Sequence, residues 1–558
     1  VSLLDAFAEI LEPADVHVAQ RLTALAGEPD ASVELAVALA VRALRGGSVC
    51  VDLRSVAEQV ELPDLPWPDP ATWLAALAAS PLLGEPPVLR LFGDLLYLDR
   101  YWLEEQQVCD DVLALVSVRP DGAVPDVSRL FGQGFEEQRA AAKVALSQGL
   151  TVLTGGPGTG KTTTVARLLA LLAEQAALAG KPSPRIALAA PTGKAAARLQ
   201  EAVQLEIDHL ELVDRRRLTG LHATTLHRLL GPRPDTSSRF RHHRANRLPH
   251  DVIVVDETSM VSLTMMARLL EAVRPQTRLV LVGDPDQLAS VEAGAVLADL
   301  VEGLGSRGVA QLRTSHRFGE SIGALASAIR AGDASAALEV LATGGDHIEW
   351  VYEDPVEQLR EVLVAHAMRL RQAAILGDMR AALATLDEHR LLCAHRRGPF
   401  GVDRWNRQVQ RWLSEETGEP LWGSWYVGRP IMVTANDYGL KLYNGDTGVV
   451  VATPDGVRAV IGDSGSDTGT FATGRLTDVE TMHAMTIHKS QGSQADEVTV
   501  LLPSEDSRLL TRELFYTAVT RAKTRVRVVG AESEVRAAIE RQAVRATGLR
   551  RRLQPAGA

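Results

Sequence analysis

Lysine is scarce in this chain of 558 residues. Of 59 basic residues only seven are lysine: Lys143, Lys161, Lys181, Lys194, Lys441, Lys489 and Lys523. A high-GC coding bias would explain arginine elsewhere. The lysines that remain are then candidates for places where a compact ammonium does what a planar guanidinium does not. Cysteine is rarer still. Cys50, Cys109 and Cys393 stand far apart with no C-x-x-C pair. That argues against a cysteine-held zinc or iron–sulfur centre and predicts buried thiols in a reducing, cytoplasmic setting. No apolar run reaches eighteen residues, and the N-terminal stretch is acidic and amphipathic. Neither a membrane span nor a signal peptide is expected.

What is present is a chain long enough for several domains, 46% hydrophobic and rich in Leu, Val and Ala. Leu150-Thr-Val-Leu-Thr154 reads as a buried parallel strand and Thr163 to Ala173 as a helix. Between them lies Gly155-Gly156-Pro157-Gly158-Thr159-Gly160-Lys161-Thr162, followed by Thr163. This is a phosphate-binding loop in the strand–loop–helix setting it requires. Its glycines let backbone N–H groups curl around phosphate oxygens at a helix N-terminus. Lys161 is expected to reach the β- and γ-phosphates of ATP, and Thr162 to hold Mg²⁺.

A second strand, Val252-Ile-Val-Val255, delivers Asp256 and Glu257 at its carboxyl end, where such sheets bind ligands. Asp256 is expected to help hold Mg²⁺, and Glu257 to polarise the attacking water, which makes the reaction hydrolysis. A third strand ends in Gly283-Asp-Pro-Asp-Gln287, with Gln287 placed to sense the γ-phosphate.

Asp256-Glu-Thr-Ser-Met260, Gly283-Asp-Pro-Asp-Gln-Leu288, Thr486-Ile-His-Lys-Ser-Gln-Gly492 and Tyr516-Thr-Ala-Val-Thr-Arg-Ala-Lys523 occur in this order. The series resembles superfamily 1 helicases of the 5′-to-3′ branch. Gly428-Arg-Pro-Ile-Met-Val-Thr-Ala-Asn436 and Leu442-Tyr-Asn444-Gly-Asp-Thr-Gly448 narrow the resemblance to the RecD family, the alpha subunits of the RecBCD helicase–nuclease, exodeoxyribonuclease V. It covers roughly residues 130 to 530. Over residues 1 to 120 it rests on position, length and Arg100-Tyr-Trp102 with Glu105 behind it.

The resemblance implies an α/β fold of two RecA-like P-loop motor domains, with a small β-rich insert and a mainly helical N-terminal domain. Boundaries are expected at 1–120, 121–308 and 309–558. A basic hairpin is expected near 231–250 and a small β-barrel near 423–481. The arginine-rich tail after Ala546 is expected to fray. Gln138 would read adenine, and Gln491 and Gly492 would border the nucleotide. Arg317, with Arg313 and His316 as close alternatives, and Arg521 would act as arginine fingers. A DNA track would run over Thr192, Lys194, Thr225, His227, Asn436, Asn444, Thr486, His488 and Lys489, with hydroxyls and cations on phosphates. Each of these has an ordinary alternative: His227 and His488 as core or capping residues, Asn444-Gly445 as a turn.

Charge divides the chain as it divides the expected roles. Residues 1–120 hold 19 acids against 7 Arg and no Lys, whereas the rest holds 51 acids against 52 bases. So acidic a segment is ill suited to gripping phosphates. Trp67, Trp73 and Trp102 are either interface anchors for a protein partner or core. The resemblance implies RecB-like and RecC-like subunits in a heterotrimer acting on single-stranded DNA and duplex ends, with the N-terminal segment docking on the RecC-like chain. The reading is an ATP-dependent 5′-to-3′ DNA translocase and helicase in DNA repair and recombination. No nuclease constellation is visible, which leaves cleavage to a partner. The rivals are a standalone RecD-like helicase, a structural subunit that binds nucleotide without moving, and a small-molecule kinase. Only about 130 residues precede Gln138, which argues against the first. The Thr486–Gly492 motif argues against the last.

Overall fold

The computed structural model describes every residue except 1, 61, 63, 121, 234–235, 315–319, 353–354, 422, 438, 463–467 and 555–558. Two all-parallel sheets organise the chain from residue 150 on. The first orders its strands Val309–Leu312, Leu150–Gly155, Arg278–Gly283, Val252–Val255, Ile186–Ala190 and Ala223–Thr225. Leu150–Gly155 and Val252–Val255 are buried at every position. Helices cover both faces, which is why these strands read as unbroken apolar runs. All carboxyl ends point the same way, so the loops after residues 155, 190, 225, 255 and 283 share one edge. Parallel α/β sheets hold their ligands at that edge.

The second sheet orders Ile348–Val351, Ala522–Val529, Ala495–Leu501, His389–Cys393 and Ala484–Thr486, again all parallel. Between its elements sits a five-stranded antiparallel sheet, ordered Gly469–Ala472, Gly456–Ile461, Thr447–Thr453, Pro430–Val433 and Val479–Thr481. Where a closed barrel was expected, the described residues form an open ladder whose two outer strands do not pair with each other. The basic stretch after Gly231 pairs Pro232–Arg233 with Thr236–Phe240 as a hairpin. Arg244 in the loop beyond it is 2.7 Å from Asp111.

The N-terminal region has its own core around helices Pro13–Ala26, Ala31–Arg45 and Pro70–Ala79 and a three-stranded sheet. Trp73 is buried there and donates its indole N–H to the Ser32 carbonyl at 2.7 Å. Trp67 donates to the Leu62 carbonyl and meets Phe7 edge-on. Trp73 is core, and Trp67 is half-buried against the edge of that core, so neither is an anchor fully displayed to a partner.

The helix Asp99–Ser117 leaves this region and enters the domain built on the first parallel sheet. Its buried face of Val108, Cys109, Val112, Leu115 and Val116 joins the cluster that holds Leu150, Ile253, Leu279 and the helix Leu263–Ala272. At about 1.5–3 kcal/mol for each apolar side chain fully buried, this is structural attachment, not a tether.

The described part of the C-terminal tail, residues 547–554, corrects the expectation that it frays. Leu549 and Leu553, on the helix Leu549–Leu553, are each 1% exposed and pack in the same cluster. Arg552 pairs at 2.9 Å with Glu105, which is 0% exposed. Glu105 also accepts from the Tyr97 hydroxyl at 2.9 Å and the Gly548 N–H at 3.1 Å. Three arginines in a row suggested solvent. Arg550 and Arg551 do stay about half exposed while reaching Glu302 and Asp52 on other elements, whereas Arg552 is buried against Glu105. All three cysteines are buried. Among the described residues no helix is long and apolar enough to cross a membrane.

Candidate functional site

A cleft of about 800 Å³ opens along the carboxyl edge of the first sheet, closed on its far side by the domain of the second sheet. Its floor is the loop after Gly155. Gly158 and Gly160 have φ of +79° and +82°, and Gly160 caps the helix Lys161–Leu178. Only glycine takes these angles without strain, and they turn the backbone so that N–H groups face the cleft. Thr159 donates its hydroxyl to the Gly156 carbonyl at 2.9 Å and holds the loop's shape. Lys161 donates to the carbonyls of Gly155 and Gly156 at 2.6 and 2.9 Å. A phosphate entering the loop competes for that ammonium. Thr162 and Thr163 line the cleft, and Thr163 donates to Glu206 at 2.8 Å.

Gln138 is buried and donates to the Thr159 carbonyl at 3.3 Å, so it stands beside the loop. Phe135 and Arg167 line the same end, with the guanidinium 5.1 Å from the Phe135 ring centroid. That is a flat, polarisable surface next to the Gln138 amide.

Opposite the loop, the Asp256 carboxyl is pushed well above the usual carboxylate range, first by burial and then by the neighbouring Glu257 carboxylate. Its carboxylate accepts the Glu257 backbone N–H at 2.8 Å. Glu257 itself has φ 50° and ψ 40°. A non-glycine residue held in the left-handed region stores of order 1–3 kcal/mol, and such strain collects at functional sites. Two adjacent acids and Thr162 line the same cleft, and their hard oxygen donors could hold a divalent cation. Gln287 is buried and donates to Asp284 at 3.1 Å. Asp284, buried and raised by desolvation, also accepts from the Tyr516 hydroxyl at 3.1 Å.

The second domain supplies Arg521, which is 4% exposed and lines the cleft. Burial depresses its pKa, and the Glu257 charge opposes that shift. Its guanidinium donates to the carbonyls of Thr517 at 3.1 Å and Ser493 at 3.3 Å. Gly492 borders the cleft, whereas the Gln491 amide turns away and donates to the Leu288 carbonyl at 2.7 Å, joining the two domains. Arg317 and His316 lie outside the described residues. Arg313 donates to Gln311 and does not line the cleft.

Among the expected DNA residues, Thr192 and Thr225 stand at the carboxyl edge of the first sheet, and Thr486 ends the strand Ala484–Thr486 of the second. Thr192, Thr225 and Thr486 each cap a helix, accepting the N–H of Ala195 at 3.2 Å, Arg228 at 3.2 Å and Lys489 at 3.3 Å. A cap uses only the oxygen's lone pairs, so the hydroxyl proton stays available to an acceptor such as a phosphate oxygen. The antiparallel insert reaches this edge. Lys194 bonds Thr447 at 3.3 Å, and Arg228 donates to the Tyr443 hydroxyl at 2.7 Å. Asn436 accepts the Asn444 N–H at 2.9 Å, so these two residues shape one exposed loop. His227 meets Phe240 edge-on at 5.7 Å, and His488 is half-buried with its pKa lowered by that burial. Lys489 lies 3.7 Å from Glu480. Thr192 and the Thr486–Gly492 segment adjoin, since a Cβ on Gly492 would sit 3.8 Å from the Thr192 hydroxyl.

Several residues escaped the sequence reading. Asp284 and Tyr516 lie within quoted motifs but were given no role. Tyr443 sits beside Asn444, and Phe135 begins the segment that carries Gln138. Arg198 falls four residues after Lys194, on the same helical face, a spacing that was available as a signal.

Comparison with known proteins agrees with this geometry. Residues 134–352 match an AAA domain and residues 481–529 a UvrD-like helicase C-terminal domain. Residues 8–97 match the N-terminal domain of the RecBCD enzyme subunit RecD. The chain is 93% identical over 557 residues to the RecBCD enzyme subunit RecD of Mycolicibacterium smegmatis, covering 100% of both chains. It is 70% identical to the RecBCD enzyme subunit RecD of Mycobacterium tuberculosis over 99% of this chain and 96% of that one. The ATP-dependent RecD2 DNA helicase of Deinococcus radiodurans is 31% identical, over 82% of this chain and 58% of that one. With its phosphate loop, paired acids and facing arginine gathered in one cleft, the chain belongs to the RecD family of RecBCD enzyme subunits.

Proposed function

We propose that this chain is an ATP-driven motor that moves 5′-to-3′ along single-stranded DNA, as the RecD-type subunit of a RecBCD-like complex with RecB-like and RecC-like partners. It would act on duplex ends in double-strand-break repair in the cytoplasm. One observation carries the reading. Lys161, Asp256, Glu257 and Gln287 from one sheet and Arg521 from the other line a single cleft. A motor needs its chemistry divided between two bodies, so that each round of hydrolysis changes their separation.

In this reading the phosphates of ATP take the loop N–H groups and draw the Lys161 ammonium from the Gly155 and Gly156 carbonyls. Phe135 and Gln138 receive the adenine. Thr162 and Asp256 would hold Mg²⁺, which supplies charge neutralisation between the β- and γ-phosphates. Glu257 orients a water for in-line attack and accepts its proton. Gln287 senses the γ-phosphate, and Arg521 closes on it from across the cleft to stabilise the charge that develops. Closure moves Thr486 relative to Thr192, and alternating grip on two phosphates advances the strand.

The test is ATP hydrolysis by the full chain with and without single-stranded DNA, paired with unwinding of 5′- and 3′-tailed duplexes. Stimulated hydrolysis and a 5′-tail requirement are expected. Hydrolysis that ignores DNA, or unwinding only from 3′ tails with this chain as the sole active motor, overturns the reading.

A further inference from the structure

One three-residue loop, Gly492 to Gln494, is held by arginines from both motor domains. From the second domain, Arg521 donates to the Ser493 carbonyl at 3.3 Å. From the first, Arg198 donates to the Gly492 carbonyl at 2.7 Å and to the Gln494 side-chain oxygen at 3.1 Å. Arg198 lies on the helix Gly193–Asp208, whose cap is Thr192. It lines the nucleotide cleft with Asp256, Glu257 and Arg521. Gly492 is pressed onto the start of that helix. Its φ is +72°, and a Cβ there would meet the Ala195 Cβ at 3.3 Å. The loop therefore rests on the first domain while it carries a contact of the second domain's arginine.

We propose that Arg198 is a positioning residue that sets where Arg521 stands in the cleft, by fixing the Gly492–Gln494 loop to the helix that begins at Thr192. This rests on the ATPase reading above. The guanidinium fork suits the task. Two N–H groups reach two acceptors on one loop at a fixed separation, which a lysine ammonium does not reproduce. The Arg198 charge also faces Asp256, on which it acts as an attracting cation, and Arg521, which it repels. The guanidinium thus favours the loop's acceptors on one side and leaves the direct approach to the γ-phosphate to Arg521. Because the same helix starts at a proposed DNA contact, the link runs from strand grip through Arg198 to the arginine that acts on ATP.

The test combines kinetics with a measurement that needs no turnover. Arg198→Ala should lower the DNA-stimulated kcat by about 10- to 100-fold, the loss typical of a misplaced group, with KM for ATP changed less than about 3-fold. Arg198→Lys should recover part of the loss. In an Arg521→Ala background the Arg198→Ala change should cost nothing further, because its effect passes through Arg521. Losses that multiply in the double variant, or an unchanged kcat in Arg198→Ala, overturn the proposal.

Separately, amide exchange should quicken at Ser493 and Ala495, which bond the carbonyls of Ser490 and Arg521 at 2.9 and 3.1 Å. Exchange there that Arg198→Ala leaves unchanged overturns the proposal even in an active enzyme. Wild-type protein without DNA-dependent hydrolysis overturns the ATPase reading instead.

Discussion

Replacing Arg552 with alanine should unseat the C-terminal helix from the body of the motor. The side chain is 6% exposed and its partner Glu105 is 0% exposed, so the change strands a carboxylate in a dry site. Removing one member of a buried pair costs about 3–5 kcal/mol. Three further donors reach Glu105, from Tyr97, Thr547 and Gly548, which places the cost near the low end. Arg552 also lies 4.2 Å from the Phe92 ring centroid and 5.2 Å from that of Trp102. Each such contact adds about 0.5–1 kcal/mol. A total of roughly 4 kcal/mol multiplies the opening equilibrium of the Leu549–Leu553 helix by about 10²–10³, at 1.4 kcal/mol per factor of ten. Hydrogen exchange over residues 545–554 reads this directly, without requiring two-state unfolding of a multidomain chain. Glu105→Gln added to Arg552→Ala should restore part of the protection, since a neutral amide has no charge to strand. Exchange already at the unfolded rate in the wild type, or unaltered by Arg552→Ala, refutes the argument and returns the tail to solvent.

Lys161→Ala should reduce DNA-stimulated hydrolysis by about 10²-fold or more, the usual loss when a preorganised charge donor is removed, while the circular dichroism stays native because this side chain meets only loop carbonyls. Glu257→Gln should hydrolyse poorly yet still be stabilised by ATP in a thermal shift, and loss of that shift would move Glu257 from chemistry to binding. Deleting residues 1–115 should give insoluble protein, not a free motor, because it strips Val108, Cys109 and Val112 from the first domain's core; a folded, DNA-responsive truncation would contradict this. Acid should weaken the second domain through buried histidines. Burial holds His366 down at about pKa 4 and His483 at about 3, with the His389 ring 5.4 Å from that of His366. Folded values below the unfolded one mean that the unfolded chain binds more protons, so stability is complete above about pH 6.5 and falls as pH drops toward 4. His366→Gln should flatten the melting temperature between pH 7 and 5, and an identical slope in that variant would acquit the cluster.

The cleft was legible in sequence wherever its chemistry is contiguous in the chain. A phosphate loop must place glycines, a lysine and a hydroxyl within eight residues of one strand end, so its spacing survives as a pattern. The same holds for the acids after Val255, which one strand delivers together. Arg198 was not legible in this way. Its partners lie 294 and 296 residues on, and only the docking of the two sheets brings a helix of one domain over a loop of the other. Gln491 differs for a related reason. The motif that contains it borders the cleft, but its side chain spans to the Leu288 carbonyl.

Sequence by itself determined the fold class, the parallel strands, the nucleotide loop and the family, because each depends on local pattern and on residue types that the chemistry does not allow to vary. Tertiary structure alone decided what the tryptophans, the tail and the arginines do. Trp67 and Trp73 have the composition of interface anchors, yet Trp73 is core and Trp67 packs half-buried beside it. Of the three arginines after Leu549, Arg552 is buried against Glu105, an acid distant in the chain, while Arg550 and Arg551 pair across elements at the surface. Burial and charge pairing depend on which surfaces meet, and that is fixed by long-range packing that no window of sequence contains.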